Sequence, residues 1–306
     1  RAEHDMFMQS LGAALQNLLL AANAYGLAGY LKGAPLICQT AVAEALGIQL
    51  VDLEAATCCG AGVMEEIDEN LNLALNARIF ALAQEKGLNE IVVICCTCLL
   101  YMRKANRMLK DDPDALARVN EMLSEVGLRY DGKLEVRHFI WALEEDYAFE
   151  NIRKKVNTPL GLKVAPFYGC HYLRPGWILG HDDPERPNSL DAMISALGGV
   201  PVDYEGRTRC CGFHSSLVRE RVSLDLVGGF IANAKESGAE LMVTPCTLCH
   251  VSLDAFQPKA EKRKKTYLRM PVFNATQLIG LALGIDGGKL GLSRHIVPIP
   301  GLRKTG

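Results

Sequence analysis

A chain of 306 residues is long enough to bury a substantial core, as two ordinary domains or one large one. An apolar share of 49% with 22% charged residues excludes a disordered chain, and a formal net charge of −2 speaks against a nucleic-acid or anionic-membrane surface. Eleven cysteines, with no basic n-region and cleavage site in residues 1–30, exclude an exported disulfide framework and favour metal or redox chemistry in a cytoplasmic protein.

Taken in order, residues 7–26 read as a helix with Leu11, Leu15, Leu18, Leu19 and Ala22 on one broad face, ended by Gly26 and Gly29. A helical pattern over 41–46 reaches Gly47, and the weak alternation of 48–53 suits a strand leading into Cys58-Cys59-Gly60. Residues 64–86 form a strong helix stopped by Gly87. The β-branched run 90–94 is a buried strand, and Cys95-Cys96-Thr97-Cys98 at its carboxyl end opens a helix over 99–109. Residues 113–126 and 139–156 are charged, periodic helices that bridge two halves.

In the second half, a strand over 162–167 delivers Cys170. A helix over 189–197 ends at Gly198-Gly199, and a strand over 200–204 feeds Cys210-Cys211-Gly212. A long helix over 217–237 precedes a strand over 241–244 that feeds Cys246-Thr247-Leu248-Cys249. Helices near 251–256 and 275–283 and a loose tail complete the chain; the basic run from Lys259 to Lys265 reads as a solvated face or a partner patch. No apolar stretch is long and clean enough to span a bilayer.

The cysteines repeat. Cys58 to Cys210 and Cys59 to Cys211 are offsets of 152, while Cys95 to Cys246 and Cys98 to Cys249 are offsets of 151. This is the mark of an internal duplication in which each half is one α/β unit: a small parallel sheet with its site at the carboxyl ends of the strands. The expected division is an atypical N-terminal segment (1–45), a first unit plus helical bridge (46–157) and a second unit (158–306).

A Cys-x-x-Cys pair at a helix start puts two sulfurs within one turn, where the helix dipole favours thiolate. Adjacent cysteines can face one centre only if the backbone turns sharply, as Gly60 and Gly212 permit. Cys170, Cys210, Cys211, Cys246 and Cys249 are one sulfur too many for a single four-coordinate zinc, which favours a multi-iron cluster over zinc or a dithiol redox pair.

Cysteine, a gap of 31–39 residues, Cys-Cys-Gly, a gap of about 35 and Cys-x-x-Cys resembles the cysteine-rich CCG motif of the heterodisulfide reductase B-subunit family. Here 39 residues separate Cys170 from Cys210, 34 separate Cys211 from Cys246 and 35 separate Cys59 from Cys95. The words Cys170-His171-Tyr172-Leu173-Arg174-Pro175 and 274–283 resemble the same family, and the likeness covers roughly 46–300. The resemblance implies two noncubane [4Fe–4S] clusters. Cys170, Cys210, Cys211, Cys246 and Cys249 would hold the second, and Cys58, Cys59, Cys95 and Cys98 the first, with Cys96 a spare core thiol. It further implies a disulfide or sulfur-carrier substrate, with a cubane iron–sulfur subunit and a flavin subunit as partners. His171, His214 and His250, each within three residues of a ligand, are candidates to protonate the departing thiolate or to hydrogen-bond the cluster or backbone. Arg174 is a candidate for a substrate anion or a structural ion pair.

The first half departs from the pattern. The offset of 152 puts its missing cysteine at position 18, where Leu18 stands, so Cys38 is the remaining candidate for a fifth ligand and the first site could be incomplete or zinc. Residues 9–27 instead resemble a helix of flavin-dependent nitroreductases, too short to hold a flavin. The leading expectation is the catalytic subunit of a heterodisulfide reductase or a related complex. The alternative is an electron-relaying anchor subunit of a succinate:quinone oxidoreductase at the membrane surface. That alternative needs an amphipathic stretch, for which 283–302 is the candidate, unless it is a tail packed on a partner.

Overall fold

Short β-branched runs followed by helix starts divide the chain into strand–helix units, and the structure, a computed structural model, describes them over residues 34–299. The expected helix 7–26, and with it the nitroreductase-like segment, lies outside those residues. Helix α1 (Ala34–Leu46) begins earlier than expected. The helix expected over 64–86 is two: a short turn, Val63–Ile67, and α2 (Glu69–Glu85). Asp68 separates them, with extended backbone and a carboxylate that accepts from Leu71 N at 3.0 Å, an N-cap in mid-sequence.

Strand β1 (Glu90–Val93) feeds α3 (Cys96–Asp111), and Asp112 with Pro113 then starts α4 (Pro113–Ser124). Strand β2 (Glu135–His138) pairs parallel with β1, Ile91 against Val136. The helix expected over 139–156 is interrupted by a π-helical turn at Leu143–Tyr147 and by Ala148 at φ 64°. The acidic run there is drawn outward, Glu144 and Glu145 to His181, and Glu145 and Asp146 to Arg137.

The second half contains β3 (Lys163–Pro166), α5 (Ser189–Ala196), β4 (Val200–Pro201) and α6 (Ser216–Glu236). It continues with β5 (Leu241–Thr244), α7 (Thr247–Ala255), α8 (Gln257–Lys264), β6 (Val272–Asn274) and α9 (Ala275–Ala282). Its four strands are all parallel, in the order β4-β3-β5-β6. Strand β4 is shorter than expected and lies at the sheet edge, where Val200 N and Val202 N donate to Leu162 O and Val164 O and the position between them, Pro201, needs no N–H for this ladder. The basic run lies on α8, which packs on α6 through Lys259–Glu220 and Arg263–Asp225 ion pairs.

Shifted by 151, β1 (90–93) falls on β5 (241–244), so the β1-β2 pair repeats β5-β6. The strand expected at 48–53 does not form; those residues run as loop. Its counterpart β4 pairs only with β3, and the matching position for β3 is 12–15, outside the described residues. Among the described residues 48–53 has no neighbouring strand, and an extended segment without a ladder leaves its peptide groups to solvent.

One continuous core joins the halves, with Phe80, Leu99, Tyr130, Trp141, Tyr168 and Phe273 fully enclosed. Each such side chain contributes roughly 1.5–3 kcal/mol of apolar burial. The last described residues pack on this core. Leu290, Leu292 and Val297 are buried, and Ile296 N and Val297 N donate to the Asp254 carboxylate at 2.8 and 3.0 Å. No helix among the described residues is long and apolar enough to cross a membrane.

Candidate metal centre

Each Cys-x-x-Cys motif begins where a strand of the parallel sheet ends. Cys95 and Cys246 are the N-cap residues of α3 and α7, with nearly the same backbone conformation (φ/ψ −125°/122° and −106°/127°). Neither side chain caps its helix, so both sulfurs are free to face inward at the positive end of a helix dipole. Cys98 and Cys249 follow one turn later.

The Cys-Cys-Gly turns meet them from the other side. Gly60 and Gly212 have φ of 85° and 79°. A Cβ at Gly60 would lie 2.9 Å from both Asn72 Oδ1 and Met64 Cβ, and one at Gly212 would lie 3.0 Å from Leu226 Cδ1 and 3.1 Å from Ser223 Cα. Only glycine satisfies both the left-handed backbone and the close approach. Buried polar groups pin each turn: Asn76 Nδ2 donates to Cys59 O at 3.2 Å, and Ser252 Oγ donates to Cys211 O at 3.1 Å.

Nine sulfurs converge as two sets. In the first, Cys59 Sγ lies 3.3 Å from Cys98 Sγ, with Cys58 against Cys59 and Cys95 against Cys98. In the second, Cys170 touches Cys210, Cys210 touches Cys211, Cys211 touches Cys249 and Cys249 touches Cys246. The sets join where Cys95 meets Cys246. Protons are shared unevenly along these contacts. Donation from Cys170 and then Cys211 pulls Cys210 down to about 2, donation from Cys249 holds Cys246 well below the usual thiol range, and donation from Cys58 does the same for Cys59. Their partners move the other way; Cys211 is pushed up to about 12 by Cys210, and Cys95 to about 12 by Cys246.

A pocket at the second set is lined by sulfurs, Thr97, Tyr168, His171, His214 and apolar groups, and among the described residues no lysine or arginine lines it. Buried thiolates without a neighbouring cation need positive charge from elsewhere. An all-sulfur donor set whose turns leave no room for a Cβ fits a group built of iron and sulfur. Among the described residues, no three Cys, His, Asp or Glu side chains form a ready-made site for a single ion.

The other candidates separate. His171 and His214 line the pocket with ring centroids 5.9 Å apart. His171 Nδ1 is 3.1 Å from Thr97 Oγ1, and burial lowers its pKa; His214 Nε2 donates to Ala61 O at 3.2 Å. Each imidazole is therefore tied to the opposite half. His250 is turned away: its Nε2 donates to Val272 O at 3.0 Å, its ring packs on His295, and burial pulls it down to about 4. Arg174 donates to Thr208 O and Pro184 O and pairs with Glu185, an arrangement that holds a loop.

Cys38 stands apart from the nine. Its sulfur donates to Leu290 O at 3.0 Å, where α1 packs near α9, and burial pushes it up to about 11. Cys96 is buried as a core thiol, yet it lines the second-half pocket and touches Cys246. Sequence reasoning missed Thr97 and His138, whose Nε2 donates to Pro245 O, next to Cys246, at 3.1 Å. Both come from the first half and serve the second, a relation that no local pattern carries.

The CCG cysteine-rich domain family matches residues 30–103 and 164–254. The chain is 39% identical over 258 residues to the 8-methylmenaquinol:fumarate reductase membrane anchor subunit of Wolinella succinogenes, covering 84% of this chain and 89% of that protein. It is 33% identical over 257 residues to the B subunit of the ferredoxin/F(420)H(2)-dependent CoB-CoM heterodisulfide reductase of Methanosarcina acetivorans, covering 83% and 85%. A hypothetical protein from Helicobacter pylori shares the fold (TM-score 0.74, 18% identity) over 89% of this chain, which spans half of that longer chain.

Proposed function

We propose, from the premise that this chain belongs to the CCG cysteine-rich domain family, that it is the iron–sulfur subunit of a multi-subunit oxidoreductase, acting on a disulfide at the pocket beside its second cysteine set. The observation that carries this reading is the convergence of Cys170, Cys210, Cys211, Cys246 and Cys249 with His171 and His214 on one pocket. In this reading those five sulfurs hold a noncubane [4Fe–4S] cluster, and Cys58, Cys59, Cys95 and Cys98 hold a second. Cys38 is left out because its hydrogen is given to Leu290 O. The clusters, when bound, supply electrons one at a time.

The chain's own residues place and protonate. A disulfide takes two electrons and two protons and leaves as two thiols; the reverse reaction forms it. The apolar wall of Tyr168, Phe213 and Leu248 covers the buried sulfurs of Cys211, Cys246 and Cys249 and leaves Cys210 exposed to an incoming disulfide, and His171 and His214 stand where a departing thiolate needs a proton. Thr97 and the Ala61 carbonyl fix the two rings. Electrons arrive through a cubane iron–sulfur subunit from a flavin subunit in the cytoplasm, as the relationship to the heterodisulfide reductase B subunits suggests.

A second reading has its own support. The 39% identity to a protein named as a membrane anchor subunit favours an electron relay between a fumarate- or succinate-type reductase and quinone at the membrane surface. The two readings share the clusters and differ in what the pocket serves. The purified complex, given a reduced dye and either a disulfide or a quinone, separates them: disulfide turnover supports the first, and quinone turnover alone replaces it with the second. Iron near eight per chain is expected; about four with zinc present would remove the two-cluster arrangement.

A further inference from the structure

The offset of 152 that carries Cys58-Cys59-Gly60 onto Cys210-Cys211-Gly212 carries Ala61 and Gly62 onto Phe213 and His214. The two copies of the turn have diverged. The second gives the pocket an aromatic ring and an imidazole. The first has alanine and glycine there and keeps a left-handed backbone through three successive positions, φ 85° at Gly60, 50° at Ala61 and 83° at Gly62. Such a run is unfavourable at Ala61 and persists only where its surroundings hold it. What it holds in turn belongs to the opposite half. The Ala61 carbonyl accepts from His214 Nε2 at 3.2 Å. Tyr101 sits on Gly62: a Cβ there would fall 2.7 Å from Tyr101 Cε2 and closer still to its hydroxyl. The Tyr101 ring then meets His171 edge-on, with centroids 5.9 Å apart and planes at 84°. One turn away on α3 is Thr97, whose Oγ1 lies 3.1 Å from His171 Nδ1.

We propose that the Gly60-Ala61-Gly62 turn and Tyr101 form a positioning cradle for the two imidazoles of the pocket. The Ala61 carbonyl sets the ring of His214, and Tyr101, admitted by the bare backbone of Gly62, sets that of His171. One copy of the duplicated turn thus supplies groups to the pocket, and the other supplies the backbone that aims them. The consequence for proton delivery to a departing thiolate rests on the function proposed above; the placement of the rings does not. Proton transfer needs an imidazole within hydrogen-bond reach, so a ring displaced by about 1 Å slows the step without weakening substrate binding.

The chain, purified anaerobically with its iron, is treated with diethyl pyrocarbonate, and modification of each histidine is followed by peptide mass spectrometry. His250, turned away from the pocket, is the internal reference. Tyr101→Ala is expected to raise the rate at His171 by about threefold or more with His250 unmoved, and Tyr101→Phe, which keeps the ring, to match wild type. Gly62→Ala is expected to raise the rate at both His171 and His214; if that variant fails to fold, the Tyr101 pair decides alone. In the assembled complex with a reduced dye and oxidised mercaptoethanol, Tyr101→Ala is expected to lower kcat about tenfold with KM unchanged. The solvent deuterium isotope effect on kcat grows with it, and Tyr101→Phe restores both, a pattern that a purely structural role would not produce. An unchanged rate at His171 in Tyr101→Ala overturns the proposal, as does a rise shared by His250, the mark of general loosening. A wild-type complex with no disulfide turnover overturns the proposed function instead, and the modification pattern still decides the cradle.

Discussion

A methyl group added at Gly212 would meet Leu226 and the Ser223 backbone while forcing a non-glycine residue to φ 79°. The left-handed conformation alone costs about 1–2 kcal/mol, and the contact with backbone leaves no flexible atom to yield. Gly212→Ala is therefore expected to displace the Cys210–Cys211 turn and lower bound iron by about four per chain, while the first half stays loaded; iron determination with EPR checks this. Unchanged iron would mean the turn has slack that the geometry denies. Residue type and spacing were enough to single out Gly60 and Gly212. They were not enough for the histidines: His171, His214 and His250 each lie within three residues of a cysteine in sequence, yet the third faces β6 and His295. Side-chain direction at a helix start depends on the neighbouring element, which spacing does not reveal.

Element ends were legible where local chemistry decides them. Strand β5 falls on its expected residues, 241–244, and helix α9 begins at its expected Ala275, capped by Asn274. There the Asn274 side chain accepts from Thr276 N at 3.1 Å, and Gln277 Oε1 accepts from Asn274 N at 2.9 Å, a buried capping box. Asn274→Ala is expected to lower stability by about 1–2 kcal/mol, read as a lower denaturant midpoint with an unchanged slope. Elements held by partners were not legible. Strand β2 has four residues, two of them charged, and forms because β1 lies beside it; 48–53 has a better alternating pattern and forms no strand, with no strand beside it among the described residues. In the break at Asp68, an N-cap outweighed a helical pattern that periodicity alone would have continued.

The two halves and the last described residues share one core, and its acid response follows from what that core buries. His250 and His295, the latter on the 284–299 segment, lie ring to ring, and burial pulls each down to about 4 from 6.5. The folded values lie below the unfolded ones, so the unfolded chain takes up protons first. Stability is complete above pH 6.5 and is lost as pH falls toward 4. His295 accounts for about 2 kcal/mol of this loss by pH 5, measurable as a fall in denaturant midpoint between pH 7.5 and 5. Among the described residues neither ring nitrogen of His295 has a hydrogen-bond partner, so His295→Phe is expected to hold stability at pH 7.5 and to shrink the loss at pH 5; an undiminished loss would place its origin elsewhere. The sequence by itself determined the duplication, the sulfur-rich class of the site and the strand–turn–helix setting of each motif, because these follow from spacing, turn residues and periodicity within a few neighbours. Only the tertiary structure decided that Cys38 goes to Leu290, that Thr97 serves His171 and that Cys96 meets Cys246. Those contacts join residues 74 to 252 positions apart, and the packing of two halves around a shared core brings them together.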